Sequence, residues 1–100
     1  MTVTVDGDEH PILYGEITAR QVAEVRQLFG MSPRAFPRLI KEKMIDLPEV
    51  AAMVYLSHLQ RGEPVDIDTL LDQITFDSEV RVDAPEAVDA DAVPDADPNG

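Results

Sequence analysis

The sequence predicts a mainly α fold: a small bundle of about four short helices, led by a candidate β-hairpin and followed by a disordered acidic tail. Three observations predict it. Two capping boxes, Thr18-Ala19-Arg20-Gln21 and Asp46-Leu47-Pro48-Glu49, each open an apolar run at helical spacing. Helix stop signals follow both runs, at Gly30 and at Gly62 with Pro64. The last stretch, DAPEAVDADAVPDADPNG, is Asp/Ala/Pro low complexity without an aromatic residue. Such a segment buries too little to offset its ordering entropy. The expected division is a helical domain over residues 1–80, with the hairpin inside 1–15, and a disordered acidic tail over 81–100.

The hairpin comes first. Val3 and Val5 alternate with Thr2 and Thr4, as a strand requires. Asp6-Gly7 is a two-residue turn signal, and Ile12-Leu13-Tyr14 is placed to pair back across it. A lone hairpin is marginal in water, so it must pack on something. Thr18 then caps the first helix, which runs to about Phe29, with Ile17 and Val22 at hydrophobic-staple positions. Val22, Val25, Leu28 and Phe29 form its apolar stripe. Ser32 caps the next segment and Pro33 sits at its N1 position. Pro37 lacks an N–H, so a turn over 33–36 and a short helix from Pro37 to Met44 are expected, with Leu39, Ile40 and Met44 inward. The helix opened by Asp46 extends to about Arg61 and carries the broadest apolar face of the chain. A last short helix follows Asp66, with Leu70, Leu71 and Ile74 apolar and Val65 able to staple onto Leu70.

Charge is unevenly placed. The chain's net charge is −12. Residues 1–61 hold eight acids against seven bases, a net of −1, and residues 62–100 hold twelve acids against one base, a net of −11. The picture is a nearly neutral domain with an acidic extension. Cysteine is absent, which excludes disulfides, thiol catalysis and thiolate metal sites. The first ten residues carry Asp6, Asp8 and Glu9 and no basic residue, so no secretory leader is expected. No apolar run approaches the roughly 18 residues of a membrane span.

Catalytic chemistry is not legible. No HExxH, GxxxxGK[ST], GxGxxG or Gly-x-Ser-x-Gly motif occurs. His10 and His58 lie far apart in sequence and read as loop and helix histidines rather than as a base or ligand pair. The carboxylates of DGDEH and DIDTLLD lack the spacing and central glycine of a calcium loop, and turn and cap roles account for Asp6 and Asp66. Asp77-Ser78 is the only Asp-Ser pair of the kind an acyl carrier needs, and no helix is expected after it. Arg34, Arg38 and Lys41 form a basic stripe that reads as a solvated helix face, with contact to phosphates, a resting place for the acidic tail or an acidic partner as the functional alternatives. No enzyme activity, metal or cofactor is expected.

The order of elements, and the run AAMVYLSHLQRGEPVDIDTLLDQI in particular, resembles the small tail assembly chaperones of long-tailed bacteriophages, especially those of actinobacterial hosts. The matching residues are Ala51, Ala52, Tyr55, Leu56, Leu59, Arg61, Pro64, Leu70 and Leu71, within a similarity covering roughly residues 16–76. Many relatives place Trp where this chain has Tyr55. The resemblance implies a non-enzymatic protein of the infected host's cytoplasm, not expected in the mature virion. It implies the phage tape-measure protein as partner, kept soluble until tail-tube subunits polymerise around it, with the tail-tube protein and self-association as further interactions. No nucleic acid or membrane partner is expected. The alternatives are a small acidic regulatory or DNA-mimic protein and a structural head–tail joining component. A chaperone for an amphipathic helix needs an apolar groove. Val50, Val54 and Leu59 form the core stripe of the central helix, which leaves Met53, Tyr55 and Leu56 as the candidate partner-binding residues. Met suits adaptable surfaces because its side chain is flexible and polarizable.

Overall fold

A computed structural model describes residues 1–83. Four α-helices and a three-stranded antiparallel sheet make up the described fold, in the order β1 (Thr2–Val5), β2 (Asp8–Pro11), α1 (Ala19–Phe29), α2 (Phe36–Lys41), α3 (Leu47–Gln60), α4 (Ile67–Gln73) and β3 (Val80–Asp83). Two short 3-10 turns, Tyr14–Glu16 and Pro33–Ala35, lead into α1 and α2. The mainly α expectation holds. No helix among the described residues is long and apolar enough to cross a membrane.

Local chemistry fixes the helix ends. Thr18 Oγ1 accepts the Gln21 N–H at 3.2 Å, while Gln21 Oε1 accepts the Thr18 N–H at 3.0 Å. The second box is also formed: Glu49 Oε1 accepts the Asp46 N–H at 2.9 Å, and Asp46 Oδ1 accepts the Leu47 N–H. Gly30 closes α1 in the left-handed region (φ 73°) and donates to the Arg26 carbonyl. At the end of α2 the same role falls to a non-glycine residue. Lys43 takes φ 56° and donates to Ile40, and Met44 donates to Leu39. That pair of bonds is a Schellman stop, so α2 ends at Lys41 rather than at Met44, and Met44 is left largely exposed. Phe36, expected in a turn, begins α2 and is fully buried.

The hairpin forms around the expected turn, in a different register. Asp6 (φ 51°) and Gly7 (φ 88°) are both left-handed, as a type I′ turn demands. Such a two-residue loop pairs Val5 with Asp8 and Val3 with His10. Ile12 is the last partner, exchanging bonds with Met1 at 2.7 and 3.2 Å, and Leu13 and Tyr14 leave the ladder. A third strand, absent from the sequence expectations, completes the sheet in the order β2-β1-β3. β3 pairs Val82 with Val3 and Val80 with Val5. The expected domain boundary at residue 80 is therefore corrected: residues 81–83 are part of the sheet. The expected disorder of residues 84–100 lies outside the described residues.

α3 is the centre of the molecule. It packs against α1, α4, β1 and β2. Val50, Ala51, Ala52, Met53, Val54, Leu56 and Ser57 are all buried. A helix that is apolar all round belongs in an interior rather than at an interface with water. Two polar residues of its last turns, buried Ser57 and partly exposed Gln60, tie it to β2 and to the residues just after it. Ser57 Oγ donates to the Pro11 carbonyl at 2.6 Å, and Gln60 both accepts from the Leu13 N–H and donates to the Leu13 carbonyl.

Candidate functional site

The three residues predicted to bind a partner are used internally. Met53 and Leu56 are both 0% exposed. Tyr55 is half-buried: its ring lies 5.7 Å from that of Phe29, and its hydroxyl donates to Glu24 Oε1 at 3.1 Å. Burial, together with that carboxylate, pushes the Tyr55 hydroxyl pKa up. Met53 and Leu56, expected on a partner face, are therefore closed to a partner in this fold, while Tyr55 keeps part of its surface open. The physical reason is that β1 and β2 pack on α3 in addition to α1 and α4.

Exposed apolar surface lies elsewhere. A cleft of about 460 Å³ runs between the α2–α3 connection and β3. Ile40, Ile45, Leu47, Val50, Val80 and Val82 supply its apolar lining, with Lys43 and Asp46 as charges. Phe76 lines it too and is 87% exposed. It is held out by a tight turn in which Ser78 donates its N–H to the Thr75 carbonyl and accepts the Thr75 N–H on Oγ. An aromatic ring this exposed on an apolar rim invites a hydrophobic contact. In the sequence it lies where the helical periodicity ends, so no spacing rule marks it.

A second cleft, of about 570 Å³, separates the hairpin from α3 and α4. It brings together the two histidines that the sequence keeps apart, with ring centroids 5.5 Å from one another. Asp6, Asp8 and Asp66 also line it, above a floor that includes Val54, Leu70 and Ile74. The carboxylates have structural work: Asp6 Oδ1 accepts the Glu79 N–H, and Asp66 Oδ2 accepts the Thr69 hydroxyl. His58 Nδ1 lies 3.0 Å from Glu63 Oε1, which also holds Arg61 at 3.5 Å. Among the described residues no Ser or Thr hydroxyl bonds to a histidine, and no group of three His, Asp or Glu side chains is placed to hold a metal. The basic stripe is a solvated face: Arg34, Arg38 and Lys41 are exposed, and Arg38 pairs only with Glu42 on its own helix.

His10 gives the second cleft a pH dependence. Its Nδ1 is buried without a hydrogen-bond partner among the described residues. Burial holds its pKa below 6.5, and the neighbouring His58 and Arg61 push it the same way, against the pull of Asp8 and Glu63. The unfolded chain therefore takes up a proton at His10 before the folded one does. The stabilising contribution is complete above the ordinary value and is lost as pH falls below it. The urea midpoint should fall between about pH 7.5 and about pH 5.5, and His10→Gln should flatten that fall. An equal fall in the variant would assign the effect to other groups.

Comparison with models of protein families, with curated proteins and with solved structures returns no match to this chain.

Proposed function

We propose that this protein is a tail assembly chaperone of a long-tailed phage, binding an amphipathic helix of the tape-measure protein and keeping that protein soluble. Two things support the reading: the residue pattern from Ala51 to Leu71, and an open apolar cleft on a domain that, extended to Asp83, holds fifteen acids against eight bases and so is acidic rather than nearly neutral. The observation that carries it is Phe76, almost fully exposed on the rim of the Ile40–Leu47–Val80 cleft. An amphipathic helix laid in such a cleft buries its apolar face against these side chains. The excess of acid in residues 62–100 keeps the loaded complex dispersed by charge repulsion. The docking face in this reading lies beside β3 and the first turn of α3, away from Met53 and Leu56.

The test is co-expression with the long open reading frame encoding the candidate tape-measure protein. The wild-type chain should hold that product in the soluble fraction and co-purify with it. Phe76→Asp, on an exposed side chain, should leave the circular dichroism spectrum and melting curve unchanged while losing the co-purified partner. Full retention of the partner by a folded Phe76→Asp variant would remove the cleft from the function. Failure of the wild type to retain it would remove the function itself.

A further inference from the structure

The sheet has two edges, and they are not alike. Along the ladder the backbone alternates between facing one neighbour and the other. Ile12 and Met1 exchange bonds, so the pairs Val3–His10 and Val5–Asp8 share that phase and turn the backbone of Asp8, His10 and Ile12 towards β1. Glu9 and Pro11 are left facing outwards from β2. Pro11 has no N–H, and its carbonyl already accepts the Ser57 hydroxyl. This edge is blunted, as exposed edges in native proteins generally are. On the other side the Asp6 N–H reaches the Glu79 carbonyl at 2.8 Å. In the same phase Arg81 and Asp83 face β1, and the N–H and C=O groups of Val80 and Val82 face away. No other described strand pairs with them.

We propose that this β3 edge pairs with a second copy of the chain, antiparallel and about a two-fold axis through Val82. The charges of the strand select that register. With Val82 opposite Val82 of the other copy, Arg81 faces Asp83 twice, once on each side of the axis. A slip that centres the axis on Arg81 sets Arg81 against Arg81 and, on each side of the axis, Glu79 against Asp83, six charges in three like-charge pairs. A slip that centres it on Val80 needs the Ser78 backbone for the ladder, and the Ser78 N–H is held by the Thr75 carbonyl inside the turn. Only the Val82-centred register joins opposite charges and leaves the turn intact. It also places the apolar clefts of the two copies, each lined by its own Val80 and Val82, on one continuous face. The contact is small, so the dimer is weak and concentration-dependent. It stands on the strand alone and does not depend on the chaperone reading.

Sedimentation equilibrium of the full chain, with no other protein present, tests it. The wild type should shift from monomer to dimer as concentration rises. Arg81→Asp and Asp83→Arg should each remain monomeric with unchanged circular dichroism, and the double exchange R81D/D83R should dimerise again. Because the chain has no cysteine, Val82→Cys supplies a reading that does not rely on charge. A hydrogen-bonded antiparallel pair sets its Cα atoms about 5.5 Å apart, inside the range a disulfide spans. Mild oxidation should therefore link Val82→Cys into a covalent dimer, while Glu9→Cys on the opposite edge should stay monomeric. A wild type that is monomeric throughout, a double exchange that fails to recover, or equal cross-linking at both edges would each overturn the proposal.

Discussion

Met53→Asp should unfold the domain. Met53 is 0% exposed in the middle of α3, with Val50, Val54 and Leu56 buried on the same helix. A carboxyl placed there is held neutral, and taking up that proton at neutral pH, roughly 3 units above the ordinary Asp value, costs about 4 kcal/mol at about 1.4 kcal/mol per unit. Losing the methionine's packing adds roughly 2–5 kcal/mol. Small domains hold about 5–15 kcal/mol in all, so little or no folded protein should remain. Leu56→Asp should behave alike. Met53→Leu keeps the volume and should cost less than about 1.5 kcal/mol. Far-UV circular dichroism and urea melts on the three variants measure this. A folded Met53→Asp with a native melting curve would mean that this side of α3 is open, and would restore it as a partner surface.

The contrast with Phe76→Asp carries the functional weight of that result. One apolar residue is expected to be indispensable for folding and silent in binding, the other the reverse. Nothing in the residues themselves separates them. The run from Val50 to Leu56 is apolar on every side, and periodicity alone cannot say whether such a helix is wrapped by its own chain or left open for another. The helices were legible because their ends are written locally. Thr18 with Gln21, Asp46 with Glu49, and Gly30 and Gly62 act within four residues of themselves. The Asp6-Gly7 turn was legible for the same reason. Its register was not, because a two-residue loop forces Asp8 into pairing whatever its hydrophilicity.

β3 escaped because its partner is distant. Four residues, Val80 to Asp83, alternate too briefly to stand out beside an acidic tail, and they become a strand only because β1 has a free side. The apposition of His10 and His58 is a consequence of the same assembly, since Ser57 holds the Pro11 carbonyl of β2 against α3. The candidate surfaces are thus products of long-range contacts around one central helix. The local signals specify the pieces, and the burial of α3 decides which apolar residues remain outside.

Phe36→Ala is the substitution expected to weaken the fold most without introducing a charge. Phe36 is fully buried at the first position of α2, directly after the Pro33–Ala35 turn. Ser32 Oγ accepts the Arg34 N–H within that turn, and Tyr14 reaches over it, donating towards the Pro33 carbonyl at 3.3 Å. The ring is therefore a rigidly delivered anchor for a helix of only six residues, which has too few bonds of its own to persist. Truncation to alanine removes that anchor and leaves a cavity, a loss of roughly 3–5 kcal/mol. With a urea slope of about 1 kcal/mol per molar for a domain of this size, the midpoint should fall by several molar or the native baseline should vanish. Met44→Ala, at the exposed end of the same segment, should change stability by no more than about 0.5 kcal/mol. The sequence pattern ranks these two the other way, with Met44 inward and Phe36 in a turn, so equilibrium melts of the pair decide between the pattern and the packing. A Phe36→Ala loss of less than about 1 kcal/mol would mean that α2 docks through Ile40 and Leu39 alone.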